Sequence, residues 1–487
     1  MHVLLATEGT FLEARILKIV FVEPPKDYWF VMGEYLPPPF GLIQLAAYVE
    51  REIPDAKIEI VDCNAEEINW IGLERRLETL NPDMVGVSSV ATCNAFVTLR
   101  AAQTAKKVNP EALTVTGGQH FTALAQESLE KYPELDVIIR GEGEKTLTEL
   151  IGNFGKANES IQGLSYRNGE HIINTPTRPL MKDIHDLPYP GYHLTEKHLN
   201  NYHFTAMGGR DAPYALIEGS RGCPHKCTFC TQWSHWGGIC RTKTPERIAD
   251  EIAHCYNRYG SRFIWLTDDN FGVERASGLG EELLKHRLGD DLEWFIQLRC
   301  DDVIKIQDDL PLLHKAGLEW VMMGVESPWD STLKTFKKGI TADDSRRAIK
   351  ILKDNGILAH AMFVIGERKD THASITYLRE FANEIDPDFV IFTVLTPFPG
   401  TAIYDEARLN NWIEDPNWAN YDMAHAIMPT ESLSRLEVQE ELWMCYRSFY
   451  GSWGRRFKGV FSKNSIKRRV SWHMLGQGIV GQFKTLF

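Results

Sequence analysis

The sequence predicts an α/β protein with two successive parallel sheets and a helical cap. The first sheet is doubly wound and Rossmann-like; the second is a partial (β/α)6 barrel. Three observations carry this prediction. Short apolar, β-rich runs alternate with helical patterns from Ile16 to about Ile151, and again from Tyr214 to about Leu395. Such alternation builds parallel sheets flanked by helices. Pro176, Pro179, Pro188 and Pro190 punctuate the stretch between the two series, as turns do. From Tyr404 onward the pattern is helical and dense in rings, including Trp412, Trp418, Tyr421, Trp443, Tyr446, Phe449, Tyr450 and Trp453. A helical cap that buries these aromatics is the expected outcome. The chain of 487 residues is then divided into a leader (1–15), a first α/β domain (16–151), a linker (152–205), a barrel (206–403) and a helical domain (404–487).

In the first domain the strands read Ile16–Val22, Lys57–Val61, Met84–Val90, Leu113–Thr116 and Asp136–Ile139. Ala95, Leu99, Ala102 and Ala105 fall on one face of an intervening helix. Ligands of doubly wound sheets sit outside the carboxyl ends of the strands. Those ends carry Glu23-Pro24-Pro25, Ser88-Ser89, Gly117-Gly118-Gln119-His120 and Gly141-Glu142-Gly143-Glu144. Small residues there let a backbone approach a large ligand closely. No G-x-G-x-x-G follows the first strand, which argues against a nicotinamide site.

The barrel strands read Tyr214–Ile217, Phe263–Leu266, Trp294–Leu298, Trp320–Gly324, Ala359–Ile365 and Phe389–Leu395. Thr244-Pro245 starts one helix as an N-cap followed by a proline. Thr341 with Asp344 forms a capping box before another. The active site of such a barrel lies at the carboxyl ends of its strands. The first of these ends leads into Arg221-Gly222-Cys223-Pro224-His225-Lys226-Cys227-Thr228-Phe229-Cys230. Three thiolates in one loop suit iron–sulfur clusters or zinc. A cubane cluster usually takes four cysteines, so three leave one iron open for chemistry. Zinc would need a fourth ligand, which Cys240, His225 or His235 could supply. Phe229 lies between two cysteines, and Trp233 and Trp236 follow. They read either as cover that excludes water or as plain core.

This loop resembles the cluster loop of the radical S-adenosylmethionine (SAM) superfamily. The resemblance implies that Cys223, Cys227 and Cys230 hold a [4Fe–4S] cluster, with Phe229 beside it, and that the open iron chelates SAM. Later strand ends follow the same family in order. Thr267, Asp268 and Asp269 would meet the SAM amino group. Gln297 and Arg299 share a face by period two, and a guanidinium there suits the SAM carboxylate. Gly324-Val325-Glu326-Ser327 with Lys338-Gly339 matches a family signature, so Glu326 and Ser327 are expected SAM contacts. Arg368 stands where relatives have the proline of G-x-P, so that loop is expected to differ.

The first domain resembles the cobalamin-binding domain that precedes many radical SAM barrels. The matching pieces are Glu23-Pro24-Pro25, Pro38-Pro39-Phe40-Gly41, Val87-Ser88-Ser89, Thr116-Gly117-Gly118 and Gly141-Glu142-Gly143-Glu144. The implied cobalamin contacts are Glu23, Pro24, Pro25, Ser88, Ser89, Gly117, Gly118, Gln119, Gly141, Glu142 and Gly143. The D-x-H-x-x-G loop of cobalamin mutases is absent, so no histidine is expected beneath the cobalt. His120 reads as an ordinary loop residue, with a replacement ligand as the alternative. The bland alternative for the whole domain is a degenerate α/β domain without a ligand. The pair of domains thus resembles the cobalamin-dependent radical SAM (class B) methyltransferases. That resemblance implies methylation of an unactivated sp3 carbon. A 5′-deoxyadenosyl radical would remove hydrogen, and cobalamin, recharged by a second SAM, would deliver methyl. The cofactors carry this chemistry while the protein places and shields them.

The run Val22–Phe30 through Gly33–Pro39 resembles enzymes that methylate a glutamine Cα of methyl-coenzyme M reductase. A protein or peptide substrate follows from it. A small molecule remains an alternative: a tetrapyrrole, as in the anaerobic magnesium-protoporphyrin monomethyl ester cyclases, or a lipid or other natural product. A non-catalytic iron–sulfur or zinc module is the alternative outside enzymology. A ferredoxin or flavodoxin is the implied electron donor.

Composition sets the remaining bounds. A net charge of −13 argues against a general nucleic-acid or membrane binder. No apolar run reaches the roughly 18 residues of a membrane span. Residues 1–15 contain Glu8 and Glu13 and do not read as a signal peptide. Cys63, Cys93, Cys240, Cys255, Cys300 and Cys445 form no regular framework, as expected in a reducing cytoplasm. Arg455, Arg456, Lys458, Lys463, Lys467, Arg468 and Arg469 crowd the tail as a solvated face or a dock for an acidic partner.

Overall fold

The computed structural model describes residues 17–26, 35–89, 91–153, 155–204, 213–288 and 290–484. The expected leader, residues 27–34 of the opening run and Val90 lie outside the described residues. The first sheet contains β1 (Lys18–Glu23), β2 (Lys57–Asp62), β3 (Met84–Ser88), β4 (Leu113–Gly117) and β5 (Val137–Ile139). These five pair in parallel in the order β2-β1-β3-β4-β5. The order reverses between β1 and β3, which opens a crevice at their carboxyl ends. The buried faces read as near-continuous apolar runs, for example Ile19 to Val22, because helices cover both sides of a parallel sheet.

The sheet continues where only turns were expected. β6 (Leu164–Asn168) and β7 (His171–Asn174) add an antiparallel hairpin to β5. Leu164 and Tyr166 alternate into the core. Gly169, at φ +61°, sits in the two-residue loop that closes the hairpin, a position that demands a left-handed backbone.

The second sheet begins with β8 (Tyr214–Ile217). A short antiparallel ribbon follows, β9 (Ser220–Arg221) with β10 (Arg241–Thr242), and it brackets the cysteine loop. The sheet then runs through β11 (Phe263–Leu266), β12 (Glu293–Arg299), β13 (Leu318–Glu326), β14 (Leu358–Ile365) and β15 (Phe389–Val394). Its order is β15-β14-β13-β12-β11-β8, every pair parallel. The barrel is therefore partial, with β8 and β15 at its edges. Alternate residues point inward. Tyr214, Leu216, Phe263, Phe295, Trp320, Met322, Leu358, Phe389 and Ile391 fill the interior, joined by Ile466 and Val470 of the last helix (Ser465–Lys484).

Both free edges are stoppered by tyrosine hydroxyls. Tyr192 donates to Leu216 O (2.8 Å) and accepts from Leu216 N (2.7 Å) on β8. On β15, Tyr450 donates to Val390 O (2.7 Å) and Tyr446 to Phe392 O (2.9 Å). The same two hydroxyls accept from Val390 N and Phe392 N. Such pairing removes the exposed template that an edge strand presents. The basic tail meets acidic groups of its own chain. Arg455 pairs with Asp386 (2.8 Å), Arg469 with Glu293 (2.7 Å), and Lys467 with Asp388.

Candidate active site

The site is assembled where the carboxyl ends of the two sheets face each other. A cleft there is lined by Ser88, Gly117, Gly118, Gly141, Glu142 and Gly143 of the first sheet, and by Glu218, Arg221 and Trp236 from the barrel side. Its apolar wall includes Phe21, Leu45, Val87, Val115 and Ile139. A Cβ on Gly118, at φ +93°, would overlap the Ser89 carbonyl oxygen, so only glycine lets β4 turn there. A broad apolar wall rimmed by bare backbone suits a large flat ligand such as cobalamin. Other expected contacts lie off this lining. Glu23 pairs with Lys26 beside Asp62, and the Ser89 hydroxyl donates to Ala91 O. Pro24 uses its carbonyl to accept from Asn64 Nδ2 (3.0 Å), and Pro25 is likewise outside the lining. His120 is buried edge-on between Phe121 and Trp418. Burial drives its pKa down to about 4.

The rim loops also grip the cysteine loop. Arg221 donates from Nη2 to Glu144 Oε1 (2.6 Å), from Nη1 to Glu142 Oε1 (3.1 Å), and from Nε to Glu218 Oε2 (2.9 Å). Glu142 Oε1 also accepts from Arg241 Nη1 (2.7 Å), and Oε2 from Met181 N (2.6 Å). Gln119 accepts from the Thr231 hydroxyl (2.6 Å) and donates to Gln232 Oε1 (3.0 Å). Sequence reasoning missed Arg221, Arg241, Glu218, Thr231 and Gln232. Arg241 Nε and Nη2 are buried without a protein partner, which is costly unless another group accepts from them.

The cysteines are half-buried. Burial raises the Cys223 and Cys227 thiols and pushes Cys230 up to about 12. Iron would have to supply the compensating positive charge for thiolate binding. Among the described residues, no three His, Cys, Asp or Glu side chains converge on one metal ion. A cubane puts a separate iron behind each thiolate, so three half-buried cysteines in one loop suit three of its irons. Phe229 stacks edge-on against Phe336 (5.0 Å) in a small apolar cluster with Val364 and Leu395. Trp233 lies under Lys226, with 4.5 Å from Nζ to the ring.

The barrel-mouth residues divide into two sets. Asp268 is fully buried and committed: Oδ1 accepts from Gly219 N (2.7 Å) and Ser220 N (2.8 Å), and Oδ2 pairs with Arg275. Its neighbour Asp269 faces Gly222 and Trp236. Burial, and secondarily Asp268, pushes its pKa up to about 7. Thr267 N donates to Ile217 O (2.8 Å). Gln297 and Arg299 share the inward face of β12, Gln297 half-buried. Arg299 is held by Asp301 (2.9 Å) and the Lys338 carbonyl. Glu326, at φ +63° on the β13 bulge, forms a buried ion pair with Lys338 (2.7 Å). A non-glycine residue held left-handed stores strain of the kind found at functional sites. Ser327 Oγ accepts from Trp329 N (3.2 Å). Lys338 and Arg299 both bring positive charge to Cys227. Arg368, in the loop expected to differ, stacks on Trp412 (4.3 Å) and donates to Pro429 O.

This architecture, a ligand-binding sheet docked on the mouth of a half-barrel with a three-cysteine loop between them, defines a two-cofactor enzyme class. Comparison with known proteins agrees. A B12 binding domain profile matches residues 32–151, and a radical SAM superfamily profile matches 217–382. An uncharacterized methyltransferase, PH0819, of Pyrococcus horikoshii is 29% identical over 462 residues, covering 94% of this chain and 98% of that one. The anaerobic magnesium-protoporphyrin IX monomethyl ester cyclase of Rubrivivax gelatinosus is 30% identical over 421 residues, covering 85% and 74%. The fold is shared with TsrM, a radical SAM methyltransferase from Kitasatospora setae solved with cobalamin and a [4Fe–4S] cluster bound. The TM-score is 0.69 at 17% identity, covering 88% of this chain and 91% of that one. The chain belongs to the cobalamin-dependent radical SAM (class B) methyltransferase family. It is an enzyme whose cofactors are a [4Fe–4S] cluster, SAM and cobalamin. Among the described residues no helix is long and apolar enough to cross a membrane.

Proposed function

We propose that this enzyme methylates an unactivated sp3 carbon, with Cys223, Cys227 and Cys230 as the cluster ligands and the intersheet cleft as the cobalamin seat. The observation that carries this reading is that the loops lining the cleft are the same loops that hold both flanks of the cysteine loop. When bound, the cluster and SAM supply a hydrogen-abstracting radical and cobalamin supplies the methyl group. Ser88, Gly117, Gly118, Gly141 and Gly143 offer backbone and small side chains to cobalamin. Arg299 and Lys338 set a positive field beside Cys227 that favours an added electron on an anionic cluster. Arg299 and Gln297 are assigned to the SAM carboxylate, and Asp269, Thr267, Glu326 and Ser327 to its polar surroundings. Asp268 acts through the backbone of Gly219 and Ser220 rather than on SAM itself.

For the substrate, the opening run from Val22 to Pro39 favours a protein or peptide, with a glutamine Cα of methyl-coenzyme M reductase as the specific choice. The Rubrivivax relative supports a second reading with a tetrapyrrole substrate. A ferredoxin or flavodoxin in a reducing cytoplasm would supply the electron. Cys223→Ala, Cys227→Ala and Cys230→Ala are each expected to lose iron and deoxyadenosine production; undiminished deoxyadenosine in any of them sinks the cluster assignment. Incubation with SAM, methylcobalamin, reductant and either a glutamine peptide or magnesium-protoporphyrin monomethyl ester separates the substrates by product mass.

A further inference from the structure

Two loops of the first sheet each face two ways. Residues 117–118 and 141–143 line the cleft. The side chains of Glu142 and Glu144, which also border the cleft, reach the cysteine loop, and so does that of Gln119 beside it. On the leading flank, Glu142 and Glu144 hold Arg221, two residues before Cys223. On the trailing flank, Gln119 holds Thr231, the residue directly after Cys230, and Gln232 beyond it. Arg221, Glu142 and Glu144 are all buried. A guanidinium engaged through Nε and both Nη atoms is directional. It cannot slide against its carboxylates without stranding a charge in a dry site.

We propose that Arg221, Glu144 and Gln119 are positioning residues that couple the two cofactor sites: the seating of cobalamin sets the pose of the cysteine loop, and SAM at that loop sets the affinity for cobalamin. The inference rests on the site assignments made under Proposed function. A rim displaced by cobalamin carries the Arg221 fork and the Thr231 hydroxyl with it; Thr231 is bonded to Cys230, and Arg221 is joined to Cys223 through Gly222 alone. Linkage makes the effect reciprocal, so each cofactor changes the other's affinity by the same factor.

The test uses full-length protein with its cluster reconstituted and kept oxidised, so that no turnover occurs. Hydroxocobalamin is titrated by visible absorbance with and without saturating SAM. For the unaltered enzyme the two dissociation constants are expected to differ by about fivefold or more. In Glu144→Gln and Arg221→Lys, at unchanged iron content, that ratio is expected to fall to near one. Gln119→Ala is expected to give an intermediate ratio. Glu144→Gln keeps an acceptor for Arg221, so it carries the test if Arg221→Lys does not fold. A clasp that merely stabilises the fold would lower the unfolding midpoint and leave the ratio as it was; that result overturns the proposal, as does a ratio of one in the unaltered enzyme. Unaltered protein that takes up neither iron nor cobalamin overturns the site assignments themselves, and the coupling with them.

Discussion

Gly222 stands at φ +93°, and a Cβ there would overlap the Ile239 carbonyl oxygen. A left-handed backbone alone costs a side-chain-bearing residue about 1–2 kcal/mol, and the overlap adds to it. Gly222→Ala is therefore expected to displace Cys223 and reduce the iron retained after reconstitution, measured per folded chain. Asp62 presents a different residue-scale problem. It is 1% exposed, and burial, followed by the nearby Glu23, raises its pKa to about 7. A carboxyl whose pKa is higher folded than unfolded binds more protons in the folded state. Its contribution is therefore favourable at low pH, declines as pH rises from about 4 to about 7, and is fully lost above that. Asp62→Asn is expected to gain stability over the parent across that same interval and to hold the gain at higher pH. Urea midpoints at pH 5 and pH 8 check it; an equal difference at both pH values counts against the buried charge. Residue-scale legibility was uneven for a physical reason. Asp268 and Asp269 are adjacent and chemically alike, and their opposite commitments depend on which one meets Gly219 and which meets Gly222.

At the scale of elements, local rules held well. Thr244 caps the helix Pro245–Tyr259 by accepting from Arg247 N, and Thr341 with Asp344 forms a full capping box on Ala342–Asp354. Both need only residues three positions apart, so the sequence suffices to find them. The tyrosine stoppers are different. Tyr192 is 24 residues from Leu216, and Tyr446 is 54 from Phe392; no local pattern pairs them. Tyr192→Phe would leave Leu216 N–H and C=O unsatisfied at a buried edge, and about 1–3 kcal/mol is expected for such a group. Equilibrium unfolding measures it, and a variant as stable as the parent would show that water satisfies this edge equally well. The hairpin Leu164–Asn174 was missed because its strands are short and run directly into the proline-punctuated stretch that starts at Pro176; its Gly169 turn was the available signal.

At the scale of the whole molecule, the tail closes the barrel from below. Ile466 and Val470 enter the interior, while Arg469 and Lys467 pair with Glu293 and Asp388 around them. Ile466→Ala is expected to destabilise the protein by about 2–5 kcal/mol through the cavity it leaves, measured by denaturant unfolding. A loss confined to a few tenths would mean that the last helix does not plug the barrel. The sequence by itself determined the chain order of the parallel strands in both sheets and the three-cysteine loop at a strand end, because periodicity and ligand spacing are properties of neighbouring residues; the antiparallel additions β6–β7 and β9–β10 escaped it. Only the tertiary structure decided what the rim loops do. Arg221 meets Glu142 and Glu144 across 79 and 77 residues of chain, and a contact made by packing two sheets together leaves no trace in the spacing of either one.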